Sequence, residues 1–202
     1  MQKTKIKIGI SAFIFIVLML LVVTHHATGI DNWGFSLDHG ALLSPNTPWM
    51  LEITYMSEPA IWLVMLNLIM LYLFFSAKKQ AYALYMGLWL DGAVIIATVI
   101  KILVGRHRPL HQLVLDTGYS FPSIHTMTAA ICVLMFLALF KTHSSKYRVF
   151  QILGLVWVIT VAASRVYLRN HYPSDVLGGA TLAYLWTNLL WYINQRWLHI
   201  IK

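Results

Sequence analysis

Charged residues are scarce in this chain of 202 residues, of which only 11% are Asp, Glu, Lys or Arg. A soluble globular domain carries about 25%. So low a content excludes an ordinary soluble domain, because its surface could not be covered with charged side chains. Hydrophobic residues instead make up 59% of the chain, and the mean hydropathy is +0.69. This composition indicates an integral membrane protein.

Cysteine is almost absent, since Cys132 is the single one in the chain. This excludes a disulfide framework and a zinc cluster built from cysteines. Acidic residues are also few, seven against fifteen Lys and Arg, which gives a net charge of +8. In a soluble chain this excess would suggest nucleic acid, but here the basic residues lie at the ends of apolar runs. A nucleic-acid partner is therefore not expected, and no pattern indicates an obligate protein partner.

Six apolar runs approach the length of about 20 residues that a helix needs to cross a membrane. The runs are continuous rather than alternating, which excludes a closed barrel. We therefore predict an all-α membrane protein with six transmembrane helices in a single domain over residues 1–202. The predicted spans are Ile8–Val23, Ala60–Ala77, Ala81–Leu103, Met127–Phe140, Val149–Ala163 and Val176–Ile193.

The distribution of charge predicts the orientation in the membrane. Six spans place both termini on one side, and ten basic residues lie on that side, whereas residues 25–58 contain no Lys or Arg and four acidic residues. Because positively charged loops stay in the cytoplasm, we predict cytoplasmic termini and an outer loop over residues 25–58. Thr47-Pro48 in that loop indicates a short helix at the membrane interface. A solvated loop anchored by Trp33 and Trp49 is the alternative.

Four polar segments, distant in the sequence, fall at the outer ends of the predicted helices. Because consecutive helices cross in opposite directions, the end of the third, the start of the fourth, the end of the fifth and the start of the sixth share one face. These ends carry residues 101–109, 122–125, 164–165 and 171–175. We therefore expect the four segments to converge in one site on the outer face of the membrane.

The polar segments resemble the three-part signature of the type 2 phosphatidic acid phosphatase family, which includes bacterial isoprenoid-diphosphate phosphatases and the vanadium haloperoxidases. Their order and internal spacing match that signature, and the resemblance implies the helical core that these proteins share. One position departs from the family, because Ile124 stands where a glycine is usual. The segments read Lys101-x6-Arg108-Pro109, Pro122-Ser123-Ile124-His125 and Ser164-Arg165-x5-His171-x3-Asp175.

The residue types fit phosphate chemistry independently of that resemblance. Hydrolysis of a phosphate ester needs positive charge around the non-bridging oxygens, a nucleophile in line with the leaving oxygen, and an acid that protonates it. Lys101, Arg108 and Arg165 supply positive charge. Ser123 and the N–H groups at the start of the fourth helix add hydrogen-bond donors for the anion.

The two histidines are the candidates for nucleophile and general acid, and chemistry alone would allow either assignment. The resemblance implies that His171 is the nucleophile, forming a phosphohistidine, and that His125 protonates the leaving group and then activates water. Asp175 follows His171 by four residues, a spacing that lets its carboxylate accept the other ring N–H and fix the tautomer.

The departure at Ile124 predicts a backbone conformation. A β-branched residue is a rare outlier at positive φ. We therefore expect negative φ in the first turn of the fourth helix. The N–H of Ile124 is then directed at the phosphate and its side chain away from it.

Other polar residues have simpler interpretations. Arg106 and Arg169 are expected to anchor the chain at lipid headgroups. Asp91, midway along the third span, is expected to donate an interhelical hydrogen bond to Thr98 or to a neighbouring helix. The pair His107 and His111 has a spacing that could bind a divalent metal, but no carboxylate motif accompanies it. Neither a metal nor another cofactor is expected.

Together these features predict a metal-independent lipid phosphatase at the outer face of the cytoplasmic membrane. The resemblance implies a lipid phosphate or diphosphate as the substrate, with undecaprenyl diphosphate as the first choice and phosphatidate or phosphatidylglycerophosphate as alternatives. A different class of function is a protein that binds or transports phospholipid headgroups, turnover having been disabled by Ile124. The presence of both His171 and Asp175 argues against it, because binding needs cations but no nucleophile.

Overall fold

Eight α-helices form the protein in a computed structural model that describes residues 1–36, 47–75, 79–139 and 145–200. A short π-helical turn over Asn194–Leu198 follows the last helix, and these four ranges contain no β-strand. The helices are α1 (Gln2–Val23), α2 (Thr28–Ser36), α3 (Thr47–Met56), α4 (Pro59–Phe75), α5 (Gln80–Val104), α6 (Ile124–Leu139), α7 (Ser145–Tyr167) and α8 (Pro173–Ile193).

Helices occur at all six predicted spans, which confirms the all-helical prediction. Four segments are long and apolar enough to cross a membrane, namely Gln2–Val23, Thr47–Phe75, Gln80–Val104 and Tyr147–Tyr167. α6 is apolar but shorter. The protein is therefore a multi-pass membrane protein, while six crossings and cytoplasmic termini stay predictions. Two predicted span ends, Ala77 and Phe140, lie outside the described residues.

Apolar side chains occupy both the core and the outer surface of the helices. Trp89 and Leu90 on α5 and Met127 on α6 are completely buried, whereas large apolar residues such as Phe13 and Leu103 are exposed. Helices that are hydrophobic all round are typical of membrane spans, because lipid takes the place of water around them.

The start of α8 packs closely against the segment that precedes α6. A Cβ atom at Gly179 would overlap the backbone oxygen of Ser123, and one at Gly178 would overlap the ring of Phe121. Only glycine permits so close an approach. This contact brings the second polar segment (residues 122–125) and the fourth (residues 171–175) together.

In the described part of the connection over residues 25–58, two helices pack against the longer ones. α3 begins at Thr47, where the sequence predicts a short helix, and packs against α7, while α2 packs against α7 and α8. The side chain of Thr54 donates a hydrogen bond of 3.3 Å to Ser164 on α7. The solvated-loop alternative is therefore wrong for α2 and α3, and their position at the membrane interface stays a prediction.

Asp91 forms the expected interhelical hydrogen bond, but in the opposite sense. The side-chain amide of Asn67 on α4 donates to Asp91 Oδ1 at 2.9 Å. The hydroxyl of Thr98 donates instead to the carbonyl of Val94, one turn earlier. Asp91 is thus an acceptor in this bond, and it links α4 to α5 rather than contacting Thr98.

Candidate active site

The four polar segments meet at one end of the helix bundle, at the ends of α5 and α7 and the starts of α6 and α8. The first segment starts in the last turn of α5, which ends at Gly105 in a left-handed conformation with φ +62°. Glycine adopts this conformation without strain, so the chain leaves the helix sharply. The chain turns back directly after α7, because the N–H groups of Asn170 and His171 both donate to the carbonyl of Arg165 at 3.1 Å.

Arg108 and Arg165 converge on one carboxylate. Arg108 Nη1 lies 2.9 Å from Asp116 Oδ2, and Arg165 Nη2 donates to the same oxygen at 2.6 Å. Backbone carbonyls of Thr117, Gly118 and Asn170 hold the guanidinium of Arg108 in place. The two arginines therefore form a preorganised site that already binds an oxyanion.

Lys101 lies at the edge of this site. Its ammonium group donates hydrogen bonds to the carbonyls of Tyr119 and Ser120, which lie just before the second polar segment. Lys101 also interacts electrostatically with Arg108 and Arg165. It thus adds positive charge to the cluster while fixing the loop that leads to α6.

His171 lies between a carboxylate and an arginine. Its Nδ1 is 3.4 Å from Asp175 Oδ2, and its Nε2 is 3.3 Å from Arg108 Nη1. Asp175 also accepts a 2.8 Å hydrogen bond from the backbone N–H of Tyr172 and so caps α8, which begins with Pro173. The ring nitrogen Nε2 therefore faces the arginine site.

The pKa of His171 is lowered by its surroundings. Burial lowers the pKa of His171 to about 4 from the usual 6.5, although the adjacent carboxylate of Asp175 acts in the opposite direction. The imidazole is 1% exposed. It is therefore neutral at pH 7, which is the form that can act as a nucleophile.

His125 lies in the first turn of α6 and reaches the same cluster. Its Nε2 is 3.2 Å from Glu58 Oε2, and the Glu58 side chain is 42% exposed. His125 also interacts electrostatically with Arg165, His171 and Arg108. The site thus contains two histidines, each next to a carboxylate of its own.

Ser123 and Ile124 form the start of α6. The Ser123 hydroxyl pairs with that of Thr126 at 3.2 Å, and its backbone N–H donates to the carbonyl of Asp175 at 3.0 Å. Ile124 is not among the positive-φ residues, as expected, and its side chain packs against the hydrophobic core. The first N–H groups of a helix have no intrahelical acceptor, so that of Ile124 is available to an anion.

Ile124→Gly is expected to change kcat/KM by less than about tenfold, or about 1.4 kcal/mol. The side chain packs away from the site, and the backbone N–H survives any change of side chain. The measurement is phosphate release at subsaturating substrate by both proteins. A much larger gain for the glycine variant would mean that isoleucine obstructs the site, and would favour the binding or transport alternative.

Four residues of the cluster were not identified from the sequence: Asp31, Glu58, Arg106 and Asp116. The headgroup-anchor interpretation of Arg106 is wrong, because its Nη1 donates to Asp175 Oδ1 at 2.7 Å and its Nη2 to Asp31. The position of Arg106, two residues before Arg108, was the feature of the sequence that could have indicated its place in the cluster. Arg169 stacks on the ring of Phe35 at 4.0 Å. Its anchoring of headgroups stays a prediction.

The described residues contain no group of three His, Cys, Asp or Glu side chains that could hold a metal ion. Of the two histidines whose spacing could bind a divalent metal, His107 packs its ring edge-on against that of Tyr119, and His111 has positive φ.

Comparisons with known proteins agree on one family. Residues 80–198 match the family model of the PAP2 superfamily. The fold is similar to the crystal structure of a transmembrane PAP2 type phosphatidylglycerolphosphate phosphatase from Bacillus subtilis, with a TM-score of 0.78 and 26% identity. The similarity covers 95% of this chain and 97% of that chain.

Two relatives from Bacillus subtilis (strain 168) are similar in sequence. Phosphatidylglycerophosphatase B is 31% identical over 183 residues, which cover 85% of this chain and 88% of the relative. Undecaprenyl-diphosphatase BcrC is 28% identical over 138 residues, which cover 65% of this chain and 67% of the relative.

Proposed function

The chain belongs to the PAP2 superfamily, and from this premise we propose that it is a membrane lipid phosphatase acting through a phosphohistidine on His171. The observation that carries the proposal is the position of His171. Its Nδ1 faces Asp175 at 3.4 Å and its Nε2 faces Arg108 at 3.3 Å. A neutral imidazole oriented by a carboxylate next to an oxyanion site is the arrangement that nucleophilic attack on phosphorus requires.

In the first step, Nε2 of His171 attacks phosphorus and the bond to the leaving oxygen breaks. The phosphate occupies the place on Arg108 and Arg165 where Asp116 now lies, and the arginines stabilise the charge on its oxygens. His125 gives its proton to the leaving oxygen. Asp175 stabilises the positive charge that develops on the ring of His171.

In the second step, water hydrolyses the phosphohistidine. His125, now neutral, accepts a proton from the water as its oxygen attacks phosphorus and the P–N bond breaks. Inorganic phosphate leaves, and His171 returns to its neutral form. Glu58 contacts His125 at 3.2 Å, and its carboxylate partly offsets the effects of burial and of the neighbouring arginines, which disfavour the protonated ring.

The low pKa of His171 predicts where activity is lost in acid. Since the neutral ring attacks, protonation of His171 should produce an acidic limb in the pH profile of kcat/KM. This limb is expected near pH 4, with activity lost as the pH falls through this value. Profiles for two substrates whose phosphates differ in pKa separate this limb from ionisation of the substrate. A limb common to both substrates near pH 6.5 would contradict the prediction.

An apolar cavity next to the site supports a lipid substrate. The cavity has a volume of about 630 Å³ and lies between α4, α5, α6 and α7, from Ser57 to residues such as Leu73 and Tyr82 further along the helices. Ser57 precedes Glu58, which contacts His125. A hydrocarbon chain in this cavity would leave its phosphate at the polar cluster.

The specific substrate we propose is phosphatidylglycerophosphate. This choice differs from the first choice made from the sequence, and it rests on the relative and the crystal structure that cover most of the chain. Undecaprenyl diphosphate is the second candidate, favoured by the similarity to BcrC. Both have a terminal phosphate and apolar chains, so the polar cluster fits either.

Phosphate release by the purified protein in detergent tests this function. We expect turnover of phosphatidylglycerophosphate to exceed that of undecaprenyl diphosphate and phosphatidate, with less than about a threefold change in excess chelator. Loss of activity on chelation would overturn the metal-independent mechanism. Binding of these lipids without any release of phosphate would favour the headgroup-binding or transport alternative.

We propose that the whole chain is one domain with the polar cluster on the outer face of the cytoplasmic membrane. The asymmetric distribution of basic residues supports this orientation. The test uses two single-cysteine variants, Asn32→Cys and Lys3→Cys, each made in a protein that also has Cys132→Ser. In intact cells, a membrane-impermeant maleimide should label Asn32→Cys but not Lys3→Cys. Labelling with the opposite preference would reverse the proposed orientation.

A further inference from the structure

The carboxylate of Asp175 is completely buried, and its two oxygens face different partners. Oδ2 accepts the backbone N–H of Tyr172 at 2.8 Å and lies 3.4 Å from Nδ1 of His171. Oδ1 accepts a hydrogen bond of 2.7 Å from Arg106. A buried carboxylate is costly unless it is paired. Since His171 is neutral before reaction, Arg106 is the cation that balances Asp175.

Arg106 is itself held on three sides. Its Nη1 also donates to the hydroxyl of Ser174 at 2.7 Å, its Nη2 pairs with Asp31, and its guanidinium stacks on the ring of Tyr172 at 3.8 Å. Burial alone would lower the pKa of Arg106, but Asp175 and Asp31 raise it above its usual value. Arg106 therefore stays charged in a fixed orientation.

Asp31 reaches this network from the outer connection. Its side chain is only 5% exposed, and its Oδ1 accepts hydrogen bonds from the N–H and the hydroxyl of Ser174, at 3.0 and 2.7 Å. It thus fixes the first turn of α8, and Asp175 lies in that turn. α2 is connected in this way to the residue that orients His171.

We infer that Arg106 and Asp31 are positioning residues, which keep Asp175 ionised and directed at His171 and do not bind the substrate phosphate. The inference rests on the proposed function. Arg106 and Arg108 lie on opposite sides of the His171 ring. Arg106 pairs with Asp175, which faces Nδ1, whereas Arg108 contacts Nε2. Both terminal nitrogens of Arg106 are occupied by protein groups.

This arrangement predicts that loss of Arg106 changes mainly kcat, whereas loss of Arg108 changes KM. Without Arg106 the carboxylate of Asp175 is buried without its cation and takes up a proton or turns away, so it stabilises the developing imidazolium poorly. Arg106→Gln is expected to lower kcat by about 100-fold and to change KM by less than about threefold. Arg108→Gln, which removes a phosphate ligand, is expected to raise KM and the inhibition constant of inorganic phosphate.

The experiment compares the variants with the wild-type protein on the substrate that the wild type hydrolyses best. For each variant, kcat, KM and the inhibition constant of inorganic phosphate are measured in detergent. Arg106→Lys is expected to recover part of the loss, since an ammonium group restores the charge but not both contacts. Arg148→Gln, which removes an exposed arginine at the start of α7, is the matched control and should stay within about twofold.

A double variant tests whether the two residues act together. Asp31→Asn is expected to lower kcat by about tenfold. Combined with Arg106→Gln it should add little to the loss, because both residues act through Asp175. If Arg106→Gln fails to fold, Arg106→Lys and Asp31→Asn test the same inference. Each should then show a lower kcat and an unchanged inhibition constant of inorganic phosphate.

Three results would overturn the inference while leaving the phosphatase intact. They are an unchanged kcat in Arg106→Gln, a rise in KM and in the phosphate inhibition constant as large as in Arg108→Gln, and losses that multiply in the double variant. A wild-type protein that releases no phosphate would instead overturn the proposed function. The two failures are therefore distinguishable.

Discussion

His171→Ala is expected to lower kcat by at least about 10⁴-fold, equivalent to about 5.4 kcal/mol of transition-state stabilisation. In the proposed mechanism the substitution removes the atom that attacks phosphorus, while the arginine site proposed to bind the phosphate remains. KM should therefore change much less than kcat. The measurement is phosphate release at saturating lipid substrate by purified protein in detergent.

His107→Ala is the matched control, because His107 lies in the same loop region as Arg108 but packs against Tyr119. Its activity should stay within about twofold of the wild type. A second measurement uses substrate that is labelled in its terminal phosphate, and the reaction is quenched during turnover. The wild type should then carry an acid-labile, alkali-stable label, whereas His171→Ala should carry none. A labelled His171→Ala protein would mean that another residue is the nucleophile.

His125→Ala is expected to reduce kcat by about 10³-fold for an alkyl phosphate ester such as phosphatidate. The alkoxide leaving group is strongly basic, so the reaction needs its protonation as the P–O bond breaks. His125 lies in the first turn of α6 and contacts Glu58 at 3.2 Å, and in the proposed mechanism it is the group that gives its proton to the leaving oxygen.

The loss in His125→Ala should depend on the leaving group. With an aryl phosphate such as p-nitrophenyl phosphate, whose leaving oxygen departs without a proton, we expect a loss of only about tenfold to 100-fold. In the proposed mechanism this residual loss reflects the second step, in which His125 activates water. Equal losses for alkyl and aryl esters would contradict the division of roles between the two histidines.

The sequence was sufficient to predict the helices and to predict that the polar segments lie close together. Long apolar runs become helices in a membrane because every backbone polar group must be paired within the segment. The alternation of helix direction then places the ends of α5 and α7 beside the starts of α6 and α8. Lys101, Arg108, His125, Arg165 and His171 could therefore be grouped without coordinates.

The partners of these residues could not be predicted in the same way. Asp31 pairs with Arg106 across 75 positions of sequence, and Asp116 bridges Arg108 and Arg165 from an irregular segment between α5 and α6. No periodicity relates such positions, because the conformation of a loop follows from the contacts of the folded chain. Arg106 was accordingly interpreted as a lipid anchor.

The sequence by itself thus determined the membrane class, the positions of the helices and the chemical groups of the site, because hydropathy and motif spacing are local properties of the chain. Only the tertiary structure decided which ring nitrogen of His171 faces the arginines, which carboxylate pairs with each cation, and that α2 contributes Asp31. Those choices depend on how helix ends approach one another. That approach is set at contacts such as Gly179 against Ser123, where side-chain size at a single position fixes the distance between two helices.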